Sequence, residues 1–435
     1  MLAATTRALS QLRKYSTLIA DSIPIIKNFL VYASGALILR SITIITAPIT
    51  MSIVSPAEYG LLALINSFIS IACIVCGFGL RQALSLEYFH RSKQEQLLLV
   101  NDIILTYTII AVPLMILATW LHPLINHYCL LNTAPTYLVL LSILLIFIYF
   151  FTELVYQVLQ YEGKALVLTV VQTGVALITV AINLWLLWYV KLGIASIIIG
   201  QLCGMLLLCC GVGYYLRSSW NVAHALHSWK SMYAYFKLGL PFIPGMLCAW
   251  LLAAGDRWVL ARYATLHDVG IYSVADTFGQ LFQMVILLPF SNAYLPSLMK
   301  KFAQADDIMA VEKTNRMLMW LFMPCCIGLV VLGYWISKPF LLWFLPPLYH
   351  QALSYVCLLL VGYIFLMSSY FAAARIQFYK KCYFLAFALC VPAVLNICLN
   401  LLMVPSWGIM GCVLATVFSY ALYFIIIVAY NYRLA

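Results

Sequence analysis

Residues 28–53 read NFLVYASGALILRSITIITAPITMSI, an apolar run broken near its middle by one charge, Arg40. The run is long enough to cross a hydrocarbon core about 30 Å thick as a helix. An arginine at mid-bilayer costs about 3 kcal/mol even on the most lenient scale. Such a residue faces a protein interior or a wet cavity, where it meets an anion or a carboxylate. The stretch therefore reads as a membrane span in a chain that handles charge inside the bilayer, not as a passive anchor.

Working outward, similar runs fall near 60–80, 99–121, 136–160, 166–189, 193–215, 238–262, 269–295, 315–337, 351–374, 382–403 and 408–431. Composition agrees: charged residues make up 9% and hydrophobic ones 65% of the 435 residues, where a soluble domain carries roughly 25% charged. The expected fold class is an all-α membrane protein with twelve transmembrane helices. Pro48, Pro113, Pro241, Pro244, Pro289, Pro324 and Pro392 lie inside these spans and should bend them.

Lysine and arginine orient the spans. Only Lys191, Arg262 and Lys338 fall in one set of loops, and Arg40 and Arg257 lie within spans. The remaining 19 of the 24 fall in the alternate loops and at the termini, which places both termini in the cytoplasm. Residues 1–22 form a cytoplasmic segment, either an interfacial helix or a tail, and lack the apolar core of a signal peptide. The scattered positives make no nucleic-acid patch. The 14 cysteines sit mostly in apolar runs, and Cys73 and Cys76, despite CxxC spacing, read as packing residues. Neither a metal nor a cofactor is expected. No GxxxxGK loop is present, and outer loops reach only about fifteen residues, so neither ATP hydrolysis nor a membrane enzyme is expected.

The chain repeats itself. At an offset of 210, Glu58-Tyr59-Gly60-Leu61 meets Asp268-Val269-Gly270-Ile271, Lys27 meets Lys237, and Asn66-Ser67-Phe68 meets Asp276-Thr277-Phe278. A constant offset over polar and glycine positions marks a true repeat. Halves of six spans enter the membrane the same way round, as two parallel six-helix bundles around a central cleft. The expected divisions are 23–217 and 237–435, joined by a cytoplasmic linker at 218–236.

The same residues carry a resemblance. Leu240-Pro241-Phe242-Ile243-Pro244, then Gly255-Asp256-Arg257-Trp258, then Val269-Gly270-Ile271-Tyr272, look like the seventh and eighth helices of bacterial polysaccharide flippases. Ser55-Pro56-Ala57-Glu58-Tyr59-Gly60 matches in the first half. Asn396, Asn400, Pro405, Gly408, Gly411 and Thr416 resemble that family's last two helices. This is the polysaccharide-transport branch, with its O-antigen members, of the multidrug/oligosaccharidyl-lipid/polysaccharide exporter superfamily. The resemblance implies a flippase of the inner membrane. It implies a substrate that is an undecaprenyl-diphosphate-linked oligosaccharide, with polysaccharide polymerase and chain-length machinery as candidate partners. A multidrug or other cation-coupled antiporter of the same superfamily is the alternative.

A diphosphate needs cations along its path. Arg40 and Arg257 lie inside spans, while Arg81 and Arg375 lie near cytoplasmic ends, where snorkelling to headgroups is the competing reading. Glu153, Asp256 and Asp276 are the carboxylates for coupling or for structural ion pairs. Arg40 could pair with Glu153. Arg257 and Asp276 lie at similar distances from the turn near Leu266, so they should reach similar depth in a hairpin and could pair.

Overall fold

The computed structural model describes residues 34–35, 37–39, 41–42, 44–216, 229–289, 294–304, 308–379 and 381–433. Arg40, the segment 1–22 and the stretch 217–228 lie outside the described residues. Every regular element that is described is helical.

Helix ends follow local chemistry. After residues 44–53 (α1), Ser55 and Glu58 form a reciprocal capping box at the start of α2 (Pro56–Cys76), with Pro56 in the first turn, where its missing N–H costs nothing. Phe78 and Gly79 take positive φ, break the run and lead into α3 (Leu80–Glu87). Ser92 and Glu95 cap α4 (Lys93–Trp120) in the same way. There follow α5 (His122–Cys129), α6 (Thr136–Tyr161), α7 (Ala165–Trp185) and α8 (Ala195–Leu216).

The span expected at 238–262 is not one regular helix. α9 (Trp229–Gly239) ends where Pro241 and Pro244 remove backbone donors, a tighter turn covers Leu240–Phe242, and α10 (Ile243–Trp250) follows. A wide π turn, Leu251–Gly255, then separates α10 from α11 (Asp256–Tyr263). The chain continues as α12 (Leu266–Pro289), α13 (Leu295–Gln304), α14 (Ile308–Phe344), α15 (Leu353–Phe378) and α16 (Cys382–Arg433). Gly408 in α16 leaves helical geometry (φ 53°, ψ −129°), so two helices meet there, between the spans expected at 382–403 and 408–431.

Among the described residues, eight helices are long and apolar enough to cross a membrane. Large apolar side chains such as Leu166, Val170 and Leu402 point outward, as a lipid-facing surface requires. One core lies among α2, α6 and α8. Another joins Met51 of α1 to α11, α12, α15 and α16. A third, among α3, α4 and α6, also takes Tyr235 of α9. The expected linker 218–236 thus contains part of a helix packed into the first half.

α2 crosses α12 at two glycines. A methyl on Gly60 would strike the Leu266 carbonyl, and one on Gly270 would strike the Pro56 carbonyl. These contacts are each other's image at the offset of 210. The cap of α12 matches too: the Thr265 and Asp268 backbone N–H groups each donate to the other's side chain, at 3.1 and 3.2 Å. At this end Tyr349, fully buried, donates its hydroxyl to the Val54 carbonyl at 2.8 Å. Past the far end of α2, Gly79 and Gly239 also meet backbone to backbone, with no room for a methyl on either.

Candidate functional site

The wide turn before α11 shapes the second-half site. Its carbonyls find side-chain donors: Ala253 accepts from Arg257 Nη1 at 2.8 Å, and Ala254 from Ser67 Oγ of α2 at 3.2 Å. The Arg257 guanidinium is therefore held against the helix, with Nη2 2.6 Å from Asp276 Oδ2 of α12 and Nη1 3.7 Å from Asp256 Oδ1. Asp276 also accepts from Tyr363 (2.8 Å) and Gln280 (2.8 Å). Asp256 accepts from the Tyr272 hydroxyl and from Thr416 at 3.5 Å. All three charges are buried, at 2% (Asp256), 8% (Arg257) and 3% (Asp276) exposure. One cation between two carboxylates tolerates burial only because nearly every polar atom is satisfied.

A second ion pair lies in the first half. Arg81, at the start of α3, places Nη2 3.1 Å from Glu153 Oε2 of α6. Its Nε donates to Gln157 Oε1 at 3.3 Å, and Gln157 returns a bond to the Arg81 carbonyl at 3.0 Å. Glu153 and Gln157 lie one turn apart on the same face of α6. This pair stays about a third exposed, which separates it from the buried triad. Arg81 and Gln82 edge a small cavity with Tyr149 and Met246.

Two larger cavities adjoin across α2. One, of about 400 Å³, lies between α2 and α10–α12, and Arg257 is on its wall. The other, of about 520 Å³, lies among α1, α2, α6, α7 and α8. Asn66 and Ser70, one turn apart on α2, line both. Trp250 donates its indole N–H to Ser70 at 2.8 Å, so this edge is also a contact between the halves.

The family model for polysaccharide biosynthesis proteins matches residues 25–302. The chain belongs to that family. Solved structures agree in fold. The lipid II flippase MurJ, in an inward closed conformation, superposes with a TM-score of 0.72 over 92% of this chain and 87% of its own, at 15% identity. An inward-facing multidrug resistance MATE family transporter of the MOP superfamily gives 0.70 over 93% and 97%, at 14% identity. A MOP superfamily transporter from Pyrococcus furiosus gives 0.60 over 94% and 95%, at 13% identity. At such identities the likeness establishes the fold alone, the one these structures share, and the apolar helices make the chain a multi-pass membrane protein. No curated protein matches by sequence.

The structure brings Arg257, Asp256 and Asp276 into one cluster, and Arg81 and Glu153 into another. Glu153 therefore has a cation other than Arg40, which lies outside the described residues. Arg375 is away from both clusters. It is 3% exposed, with Nη2 3.4 Å from Met309 Sδ, so it is buried in protein and does not snorkel to headgroups. Sequence reasoning missed Tyr272, Gln280, Tyr363 and Thr416 as partners of the acids, and Gln157 as partner of Arg81. Asn66 carried a signal, because the repeat places it opposite Asp276. Among the described residues there is no group of metal-ligating side chains.

Proposed function

We propose that this family member is a flippase moving an undecaprenyl-diphosphate-linked oligosaccharide, such as an O-antigen unit, from the cytoplasmic to the periplasmic leaflet of a bacterial inner membrane. Twelve helices in two six-helix bundles, 23–217 and 237–435, would alternate access to a cleft between them. The observation that carries the reading is the pair of cavities meeting at Asn66 and Ser70 on α2, one of them between the halves, in a chain of the polysaccharide biosynthesis family. The reciprocal glycine packing at one end of α2 supports two related halves that close on each other there. The family match, rather than the fold, favours a saccharide over the drugs of the MATE transporters.

The cations divide by availability. Arg257 has its fork committed to Asp276 and Ala253, so its part is to hold the shape of the wall. Arg81 is about a third exposed and can exchange Glu153 for a phosphate, since the guanidinium fork fits either group. Arg40 is a second diphosphate contact in this proposal, on the strength of the cost of an arginine at mid-bilayer. Binding at these cations must stay modest, or the substrate would not leave.

Reconstitution into liposomes with a fluorescent undecaprenyl-diphosphate-linked oligosaccharide tests the proposal. The intact chain should expose nearly all of the label to a membrane-impermeant quencher, against about half in empty liposomes. Arg81→Ala should slow the exchange about tenfold or more, the loss of one charge-assisted contact, and Arg81→Lys should recover part of it. Exchange no faster than in empty liposomes would remove the flippase reading.

A further inference from the structure

The second half holds a buried carboxyl that neither ion-pair cluster uses. Glu312, one turn into α14, is 2% exposed, and its Oε1 accepts from Asn431 Nδ2, near the end of α16, at 2.7 Å. Its other oxygen, Oε2, is buried without a hydrogen-bond partner, and so is Asn431 Oδ1. Two acceptors that lack a donor thus belong to two groups already joined through their other atoms. Glu312, Asn431, Arg316 and Tyr432 border a cavity of about 10 Å³, room for one water at most.

The groups facing this carboxyl from the three helices are engaged elsewhere. Arg316, one turn further along α14, sets its guanidinium over the Tyr432 ring of α16, 5.0 Å from the centroid. Arg375 of α15 places Nη2 3.4 Å from Met309 Sδ, and its Cζ lies 5.7 Å from the centre of the Tyr379 ring. Both arginines act on Glu312 through space, and among the described residues no ion pair joins either to it. Asn315 of α14 donates to the Phe371 carbonyl at 3.0 Å and accepts from Tyr294 at 2.8 Å. Lys313 is exposed.

A carboxylate buried in this way is costly, because one of its oxygens meets no donor. A proton on Oε2 removes the charge and makes that atom the donor that Asn431 Oδ1 lacks. Acid and carboxamide then exchange two hydrogen bonds, one N–H and one O–H, each to an oxygen of the other group. A metal cation fits less well, since two oxygens beside a one-water space fall short of the six or so that hard cations take.

We propose that Glu312 and Asn431 form a proton-binding site, in which one proton, exchanged with water, joins the end of α16 to the start of α14. Losing the proton sets two acceptors against each other and buries a charge, so α16 is released from α14 there. Proton uptake thereby biases how these helix ends pack in the second half. The site would exist whatever the chain carries across the membrane, so it stands apart from the flippase reading.

Infrared difference spectra of the full chain in nanodiscs, stepped from neutral to alkaline pH, read the site directly. The parent should show the carbonyl band of a protonated carboxyl at neutral pH and lose it on the alkaline step. Glu312→Gln should lack this band and still fold, because a second carboxamide reproduces both hydrogen bonds of the neutral pair. Asn431→Ala should shift the band rather than abolish it. The folded state holds a proton that the unfolded state gives up, so stability falls as pH rises. Scanning fluorimetry should therefore show the thermal midpoint of the parent dropping on the alkaline step by several degrees more than that of Glu312→Gln. Absence of a Glu312-dependent band at neutral pH would overturn the proposal, since a charged carboxylate bridged by water gives none. A midpoint raised by sodium ion in the parent and not in Glu312→Gln would also overturn it, by giving the oxygens to a metal cation. So would failure of Glu312→Gln to fold, because a neutral pair must tolerate its own isostere.

Discussion

Arg257 and Arg81 each face a carboxylate, but water reaches the two pairs very differently. The Arg257 and Asp276 side chains are 10% and 4% exposed, those of Arg81 and Glu153 37% and 26%. Removing one partner of a buried pair strands the other and costs about 3–5 kcal/mol. A pair open to water is worth about 0–1 kcal/mol after screening. Asp276→Ala should therefore lower the thermal midpoint of the purified protein strongly, because it also strands Tyr363 and Gln280. Glu153→Ala should move the midpoint little. Scanning fluorimetry in detergent checks both, and equal shifts would mean that burial does not separate the pairs. The Arg257 contact was readable beforehand because a hairpin fixes the relative depth of residues equidistant from its turn. The Arg81 contact was not, because Glu153 lies three helices further on and only tertiary packing decides which helix meets α3.

At the scale of the element, the crossing of α2 and α12 follows from residues with little chemistry of their own. Glycine lets two backbones approach at membrane helix crossings, and the offset of 210 already paired Gly60 with Gly270 in the sequence. What the offset could not show is that the paired residues touch across the interface, Gly60 on Leu266 and Gly270 on Pro56. Nor could it show that α15 and α16 bring Tyr363 and Thr416 to the acids of α11 and α12. Periodicity reports which face of a helix is buried, not its neighbour. A Cβ at Gly60 meets backbone, which cannot rotate away, so Gly60→Ala must push the two helices apart at this end. Spin labels on the exposed positions Ala57 and His267 should report a longer and broader distance in Gly60→Ala than in the parent. Gly270→Ala should do the same from the other side. Unchanged distances in both would mean that the crossing yields by some other movement and is not the seal between the halves.

For the whole molecule, the distribution of positive charge makes a claim independent of any contact. Anionic lipid and the membrane potential retain lysine and arginine in the cytoplasm, so short loops sort by their positives. Arg91 between α3 and α4, Lys93 at the start of α4, and Lys164 before α7 would then share one side with Lys301 in α13 and Arg433 at the end of α16. Lys191, after α7, and the turns holding Asn132 and Pro346 would lie on the other. The order of helices agrees with this alternation as far as the chain is described: α4 separates Lys93 from the turn at Asn132, and α6 returns to Lys164. An error of one span anywhere would invert every loop after it, so the two ends of the chain test the count together. Fusions to a reporter active only in the periplasm should be silent at Ala435 and active at Asn132 and Pro346. Activity at Ala435 with activity retained at Asn132 would mean an odd number of crossings after Asn132 has been miscounted. It would also break the parallel relation of the two halves on which a cleft with alternating access depends.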